Sequence, residues 1–356
     1  MIDDASIGGG QQHILWLAEH LDRNRFEVTV ACEEQGYLVD ELRRRNIAVH
    51  SLRMANRLSL RSLMECRKLL RALRPDIVHT QGGTAGFLGR ISALLSRSKS
   101  VVHTYHGIHY LHYRNLLRRA TFTLIDRILL LATDRLICVA QHDYNLGLRA
   151  GVVDPKKTSV IWNGIDVAKF ASPRDMEISR PIVGTIGRLH VQKGHTYFLE
   201  AARMVLQDHP GTIFEIAGDG ELKGELVMKA RALGISGAVR FLGMRTDVPE
   251  ILSHFSVFVL SSLWEGLPIV LLEAMAARIP IVSTHVDGVL EILTDQQDSL
   301  LVPPKDPRRL ADAILALLRD PGKSRHLADK AFEIVSTKFN VQTMVKKTEE
   351  VYTEIT

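Results

Sequence analysis

Two carboxylates with seven residues between them, Glu265 and Glu273, bracket an otherwise apolar stretch that reads Trp-Glu-Gly-Leu-Pro-Ile-Val-Leu-Leu-Glu-Ala-Met-Ala over residues 264–276. Pro268 suits the first turn of a helix, where its missing N–H costs nothing. Glu265 is therefore expected in the loop before that helix and Glu273 well inside it. Seven residues return a helical side chain to nearly the same face, so Gly266 and Glu273 should border one cavity. A buried carboxylate is costly without a partner, which points to a polar ligand there. Residues 187–194, Gly-Arg-Leu-His-Val-Gln-Lys-Gly, place two cations, Arg188 and Lys193, on one loop after an expected strand. Open α/β sheets bind ligands at such loops. Arginine can grip a phosphate through two hydrogen bonds while lysine acts as a point charge. The plainer reading is a pair of surface cations beside a glycine turn.

Glycines recur at the expected strand ends. Ser6-Ile7-Gly8-Gly9-Gly10 precedes a helix expected over 11–21, where backbone N–H groups can approach a phosphate. The run is not the GxGxxG dinucleotide fingerprint, and a plain turn would also account for it. Gly218-Asp219-Gly220 and Gly243-Met244 occupy similar places, and Asp247 with Glu250 has the spacing of a capping box. His103, His106, His109 and His112 recur at every third residue and suggest a metal cluster. Residues 101–105 are strand-like and Gly107 ends the strand, so the four rings should not converge on one face. His106, at the strand end, is the catalytic candidate, and the others are packing or surface residues. No Asp-x-Asp occurs, so a divalent-cation mechanism lacks its ligands and no metal is expected.

Short β-rich runs alternate with amphipathic helical runs. Strands are expected at 26–32, 76–80, 100–105 and 135–139, with a helix over 58–73. The pattern restarts with strands at 182–186, 212–217, 239–242, 257–260 and 279–283, and helices at 195–207, 221–233, 247–253, 268–277 and 307–318. Such alternation implies doubly wound parallel sheets, and two series imply two Rossmann-like domains. The division falls at a polar linker over 169–180. Residues 1–168 form the first domain and 169–339 the second. The first strand should precede Gly8, yet only Met1 and Ile2 stand before the acids. That strand is central in the doubly wound order, so a start upstream of Met1 is expected.

A chain of 356 residues is too long for one ordinary core, and its 46% hydrophobic and 24% charged residues are those of a soluble globular protein. Cys32, Cys66 and Cys138 have no redox or metal-ligand spacing, which suits a reducing, cytoplasmic setting. Met1-Ile2-Asp3-Asp4 lacks the apolar core of a signal peptide, and no run approaches the length of a membrane span. Charge is uneven. Residues 43–119 hold sixteen Lys and Arg against two acids. A solvated surface would explain this, as would attraction to an anionic acceptor or leaflet. No nucleic-acid motif accompanies the charge, so no nucleic-acid partner is expected. Over 113–137, Arg114, Arg118, Arg119, Arg127 and Arg135 interleave with Leu, Ile and Phe. Such a stretch is either a buried helix pair or one lying peripherally on the inner face of an anionic membrane.

The Glu265–Glu273 spacing matches the E-x7-E motif of retaining GT-B glycosyltransferases, and residues 187–194 match that family's GRL-x3-KG loop. Gly218-Asp219-Gly220-Glu221-Leu222, Trp162-Asn163-Gly164-Ile165-Asp166 and the 8–10 glycines fall in the same order and spacing. The chain resembles family 4 of the glycosyltransferases over essentially its whole length. The resemblance implies an α/β GT-B fold, two Rossmann-like doubly wound parallel-sheet domains facing a central cleft. The first domain would bind the acceptor and the second a nucleotide-sugar. A final helix near 340–356 would return to the first domain. By the same resemblance, Arg188 and Lys193 form a diphosphate clamp, Glu273 holds the ribose, and Glu265 holds the donor sugar's hydroxyls. Gly10 offers its N–H to the phosphate, and the chain near Met244 meets the base. Gly9, Gly218, Gly266 and Leu267 are further donor-binding positions, and His106 resembles the histidine near the transferred sugar.

Together these features describe a metal-independent, retaining hexosyltransferase without a cofactor. Its donor is a nucleotide-sugar, with a UDP-sugar as the default and GDP-mannose as the alternative. Its acceptor is a lipid-linked or growing cell-envelope glycan such as a lipopolysaccharide or other polysaccharide. Rival readings are a catalytically silent nucleotide-sugar-binding partner subunit and a GT-B epimerase or phosphorylase.

Overall fold

A computed structural model describes residues 1–54, 59–113, 115–170 and 180–356. Most of the expected linker, together with Leu58 and Arg114, lies outside these residues. The chain forms two compact units, Met1–Gly164 with Val341–Thr356, and Ile165–Asn340.

In the first unit, α1 (Gly9–His20), β1 (Thr29–Cys32), α2 (Tyr37–Arg44), β2 (Ala48–Ser51), α3 (Leu60–Leu73), β3 (Ile77–Gln81) and α4 (Gly83–Ser96) are followed by β4 (Ser100–Tyr105). Then come α5 (Leu116–Leu130), β5 (Arg135–Cys138), α6 (Gln141–Ala150) and β6 (Thr158–Val160). β1 pairs with β2, and β3-β4-β5-β6 form a four-stranded sheet, all parallel. The gap between β1 and β3 is bridged by two residues. Ile2 N donates to Ala31 O at 3.1 Å, and Gln81 N donates to Met1 O at 2.9 Å. Met1 and Ile2 thus stand where the central strand was expected. The β1 strand is shorter than the expected 26–32. The helix expected over 11–21 begins at Gly9, so Gly9 and Gly10 lie in its first turn.

The second unit runs β7 (Ile182–Ile186), α7 (His195–Asp208), β8 (Ile213–Ala217), α8 (Lys223–Ala232), β9 (Val239–Gly243), α9 (Val248–His254) and β10 (Val257–Leu260). It continues through α10 (Ile269–Ala276), β11 (Ile281–Thr284), β12 (Leu300–Val302), α11 (Pro307–Arg319) and α12 (Pro321–Lys338). The helix α13 (Val341–Thr353) belongs to the first unit, where Glu349 Oε1 accepts from Asp22 N at 2.8 Å. The second sheet has the order β12-β11-β10-β7-β8-β9, parallel throughout. This is the doubly wound order, and its direction reverses between β7 and β10. Strands covered on both faces read as continuous apolar runs, and every residue of β10 and β11 is buried. Phe198, Leu199, Phe214, Ile216, Val259, Val282 and Ile314 fill the core. Asp306 caps α11 by accepting from Arg309 N at 3.0 Å, with Pro307 in the first turn. The expected capping box at Asp247 does not form. Asp247 caps no N–H and accepts instead from Arg245 Nε at 2.8 Å.

Candidate active site

The strand order reverses between β7 and β10, the place where open α/β sheets bind ligands at the carboxyl ends of their strands, and the two loops that leave these strands are stitched together. Leu263 N donates to Gln192 O at 2.7 Å, and Ser261 Oγ donates to Lys193 O at 2.9 Å. This register brings Lys193 Nζ to 2.6 Å from Glu265 Oε1. The same oxygen accepts from Ser262 Oγ at 2.6 Å, and Gln192 Nε2 donates to Trp264 O at 3.0 Å. Glu265 is buried, and the residues that donate to its Oε1 are anchored through their carbonyls, Lys193 O accepting from Ser261 Oγ and Ser262 O from Thr284 Oγ1 at 2.6 Å.

Pro268 caps α10 rather than entering it, so Glu273 sits five positions into the helix. It is buried, and among the described residues no side chain hydrogen-bonds or ion-pairs with its carboxyl. Desolvation alone raises it from 4.5 to about 7. The two carboxylates of the motif are thus treated in opposite ways.

Close backbone approach fixes the loops. A Cβ on Gly218 would lie 2.1 Å from Gly187 O, and one on Gly288 would lie 1.6 Å from Gly266 O. Either would overlap backbone, which explains glycine at both places. Leu267 is buried beneath the same turn, whereas Arg188 is exposed and pairs with no carboxylate among the described residues. Met244, also exposed, follows β9.

His106 and the early glycines lie together in the first unit. A Cβ at Gly10 would be 3.7 Å from His106 Cδ2, and Gly9 is exposed in the same helical turn. His106 Nε2 lies 2.7 Å from Gln81 Oε1, and its ring meets the His13 ring edge-on at 4.7 Å. His13 Nδ1 lies 3.0 Å from Asn163 Oδ1. Burial holds His106 well below the usual histidine range, helped by repulsion from His13 and His79. It lowers His13 to about 4. The four regularly spaced histidines diverge: His103 is buried beside Thr80, with Nδ1 2.9 Å from Oγ1, while His109 and His112 are exposed. Among the described residues no three His, Cys, Asp or Glu side chains gather as metal ligands.

The α5 helix is not a member of a buried pair. Only Asp126 and Leu129 are buried along it. Leu116, Leu117, Leu124 and Ile128 are exposed, Leu117 at 79%, as is Leu131 beyond its end at 84%. Among the described residues no helix is long and apolar enough to cross a membrane.

Several residues of these networks were not singled out from the sequence: Gln192, Ser262, Asp287 and Gly288 in one unit, His13 and Gln81 in the other. Asp287-Gly288 had a signal, an Asp-Gly turn pair after a strand. Its Asp287 Oδ2 accepts from Glu265 N at 3.3 Å. His13 and Gln81 had none, because their roles arise from distant pairing.

Comparison with known proteins adds an independent line. A family model described as Glycosyltransferase Family 4 matches residues 7–169, and one described as Glycosyl transferases group 1 matches residues 180–320. The chain is 31% identical over 366 residues to the UDP-Gal:alpha-D-GlcNAc-diphosphoundecaprenol alpha-1,3-galactosyltransferase of Escherichia coli, covering 98% of this chain and 94% of that protein. It is 33% identical to the alpha-D-kanosaminyltransferase of Streptomyces kanamyceticus over 49% of this chain and 46% of that one. In structure it resembles Anabaena HepE in complex with UDP-glucose, with a TM-score of 0.86 and 21% identity over 99% of this chain and 98% of that one. Sucrose-phosphate synthase from Thermosynechococcus elongatus matches with a TM-score of 0.80 and 19% identity over 99% and 98%.

Proposed function

From the premise that the chain belongs to glycosyltransferase family 4, group 1, with the GT-B fold, we propose that it is a retaining, metal-independent hexosyltransferase. Its donor is a UDP-sugar and its acceptor a lipid-linked or growing cell-envelope glycan. The E. coli relative, whose name carries both a UDP-sugar donor and a diphosphate-linked lipid acceptor, supports that substrate class. The observation that carries the reading is the pair of loops after β7 and β10, where Lys193 is already oriented by Glu265 while the Glu273 carboxyl is buried with no partner among the described residues.

An ammonium has three donors. One goes to Glu265, which leaves two for the oxygens of a diphosphate. Arg188, exposed on the same loop, supplies a second cation, so the charge that develops on the departing diphosphate meets preorganised donors without a metal. Glu273 accepts from the ribose hydroxyls. Glu265 uses Oε1 on Lys193 and Ser262; its Oε2 accepts only a long hydrogen bond from Gln192 Nε2, at 3.4 Å, and keeps acceptor capacity for the donor sugar's hydroxyls. His106 lies near the transferred sugar, with its Nε2 held by Gln81, and Gly9 and Gly10 offer backbone N–H groups to the phosphate. Gly218, Gly266 and Leu267 shape the donor pocket, and the chain at Met244 meets the base. The acceptor falls to the first unit.

An anionic membrane surface is the partner that suits α5, whose exposed leucines stand among Arg118, Arg119 and Arg127. On this reading the enzyme works peripherally at the inner face of the cytoplasmic membrane. Co-sedimentation with vesicles containing phosphatidylglycerol should be salt-sensitive and should weaken in Leu117→Asp; no salt-sensitive recovery with these vesicles would remove the anionic-membrane role.

The catalytic reading is tested with a panel of UDP-, GDP- and ADP-sugars. UDP-sugars should raise Tm and release UDP when an acceptor is added. Release of inorganic phosphate, or no stabilisation by any nucleotide-sugar, would overturn it.

A further inference from the structure

Glu265 is held at both ends, and the two ends answer to different parts of the chain. Its carboxylate is fixed by Lys193 Nζ, from the loop after β7, and by Ser262 Oγ, each 2.6 Å from Oε1. Its backbone is fixed from the loop after β11. Glu265 N donates to Asp287 Oδ2 at 3.3 Å, and Glu265 O accepts from Gly288 N at 3.4 Å. Among the described residues no backbone carbonyl takes the Glu265 N–H, so the half-buried Asp287 supplies its acceptor. A buried N–H left without one costs as much as a lost hydrogen bond. Asp287 also adopts a backbone that favours glycine, with φ at +34°. Asp and Asn tolerate that region best among residues with a side chain. Gly288 must be glycine, because a Cβ there would lie 1.6 Å from Gly266 O. A second glycine at 287 would make the same turn more easily. Asp stands there instead, and its side chain does what glycine cannot.

We propose that Asp287 is a positioning residue of the donor-sugar site: it acts through the Glu265 backbone and sets where the Glu265 carboxylate and the Gly266 and Leu267 amides stand. This rests on the donor-sugar role given above to Glu265. The effect falls on the sugar rather than on the nucleotide. Lys193, the cation assigned to the diphosphate, has anchors of its own: Lys193 O accepts from Ser261 Oγ at 2.9 Å, and Gln192 O accepts from Leu263 N at 2.7 Å. Without Asp287 those contacts remain, while the Glu265 peptide loses one of its two ties to the β11 loop. Asp287 works by accepting a hydrogen bond, not by its charge. Asn offers the same acceptor and tolerates the same backbone, Gly offers the backbone without the acceptor, and Ala offers neither.

The test uses the full chain and the variants D287N, D287G and D287A, titrated calorimetrically with UDP, UDP-galactose, UDP-glucose and UDP-GlcNAc. For whichever UDP-sugar the wild type binds, the ratio of UDP-sugar affinity to UDP affinity should fall about tenfold in D287G, the cost of leaving one N–H unsatisfied. UDP affinity itself should stay within about twofold. D287N should restore the ratio, and D287A should lose it and lower Tm as well. In the free protein, hydrogen exchange at the Glu265 amide, resolved by mass spectrometry, should quicken about tenfold in D287G and D287A and keep the wild-type rate in D287N. A wild-type ratio in D287G overturns the proposal, as does unchanged exchange at Glu265. D287N as impaired as D287G also overturns it, because charge rather than an accepted hydrogen bond would then be at work. If the wild type binds no UDP-sugar, the donor reading fails by itself; exchange at Glu265 still decides whether Asp287 positions that residue.

Discussion

Replacing Glu273 by Gln should stabilise the free protein and cripple its donor site at once. Burial lifts this carboxyl from 4.5 to about 7. Below pH 4.5 the group is protonated in folded and unfolded chains alike and contributes no difference. As pH rises through the window from 4.5 to 7, the unfolded chain ionises first, and the folded state loses stability. Above 7 the loss is complete. A shift of this size corresponds to about 3 kcal/mol at pH 8. Glutamine has the shape of the protonated acid and never ionises, so E273Q should recover most of that energy at pH 8 and none at pH 4.5. For a unit of this size the gain is a rise in Tm of roughly 6–12 °C. Donor binding should move the opposite way. Ribose hydroxyls donate to the ionised carboxylate, so UDP binding to the wild type should release a proton and weaken up to tenfold per pH unit below 7. In E273Q the affinity should be lower and flat with pH. Urea unfolding and calorimetric titration with UDP, each at pH 5, 6.5 and 8, read both effects. A variant no more stable at pH 8, or one that binds UDP as the wild type does, would refute the claim that Glu273 is held without a partner for the ligand.

Lys193→Met should reduce turnover by about 10²–10³-fold by removing a donor to the diphosphate. It should also cost about 3 kcal/mol of stability, since Glu265 is left buried without its cation; Lys193→Met/Glu265→Gln should regain the stability but not the activity, and recovered turnover would refute the clamp. Acid should unfold the protein early: burial lowers both His13 and His195 to about 4, so each loses stability as pH falls from 6.5 toward 4, by about 2 kcal/mol apiece at pH 5. Equal urea midpoints at pH 5 and 7 would count against this. Gly288→Ala should lower Tm and donor affinity together, because its Cβ would overlap Gly266 O; an unchanged variant by thermal shift with UDP would show that the two loops do not pack as described.

The sequence displayed the second unit better than the first, for a physical reason. Arg188, Lys193 and Glu265 lie on two loops and Glu273 on the helix that follows the second; their spacing is local, and each loop follows an apolar strand that is easy to recognise. Their mutual register, with Leu263 on Gln192 and Ser261 on Lys193, is set by the doubly wound order and left no local trace. Asp287 and Gly288 arrive from β11 for the same reason. In the first unit the central position is filled by Met1 and Ile2, too few residues to show any periodicity. The His106 environment draws on residues 13, 81 and 163, which meet only through the sheet. Exposure along α5 was the hardest property to read, because leucines spaced along a helix look alike whether they face a core or solvent.

The opposite treatment of Glu265 and Glu273 bears on how such a site spends its carboxylates. A general acid–base pair would need two groups open to proton exchange beside the reacting bond. Glu265 Oε1 is occupied by Lys193 and Ser262 at 2.6 Å each, which suits a group that orients a cation and a sugar rather than one that attacks. Glu273 stands five positions into the following helix, with nothing donated to its carboxyl among the described residues, so its burial is a cost borne by the free protein. A ribose that donates two hydroxyls relieves that cost on binding, and the relief depends on the sugar being present rather than on the phosphates alone. The discrimination between a nucleotide and a bare diphosphate therefore belongs to Glu273. E273Q should narrow the difference in affinity between UDP and pyrophosphate, while Lys193→Met should weaken both alike; a variant Glu273 that leaves this difference intact would place ribose recognition elsewhere.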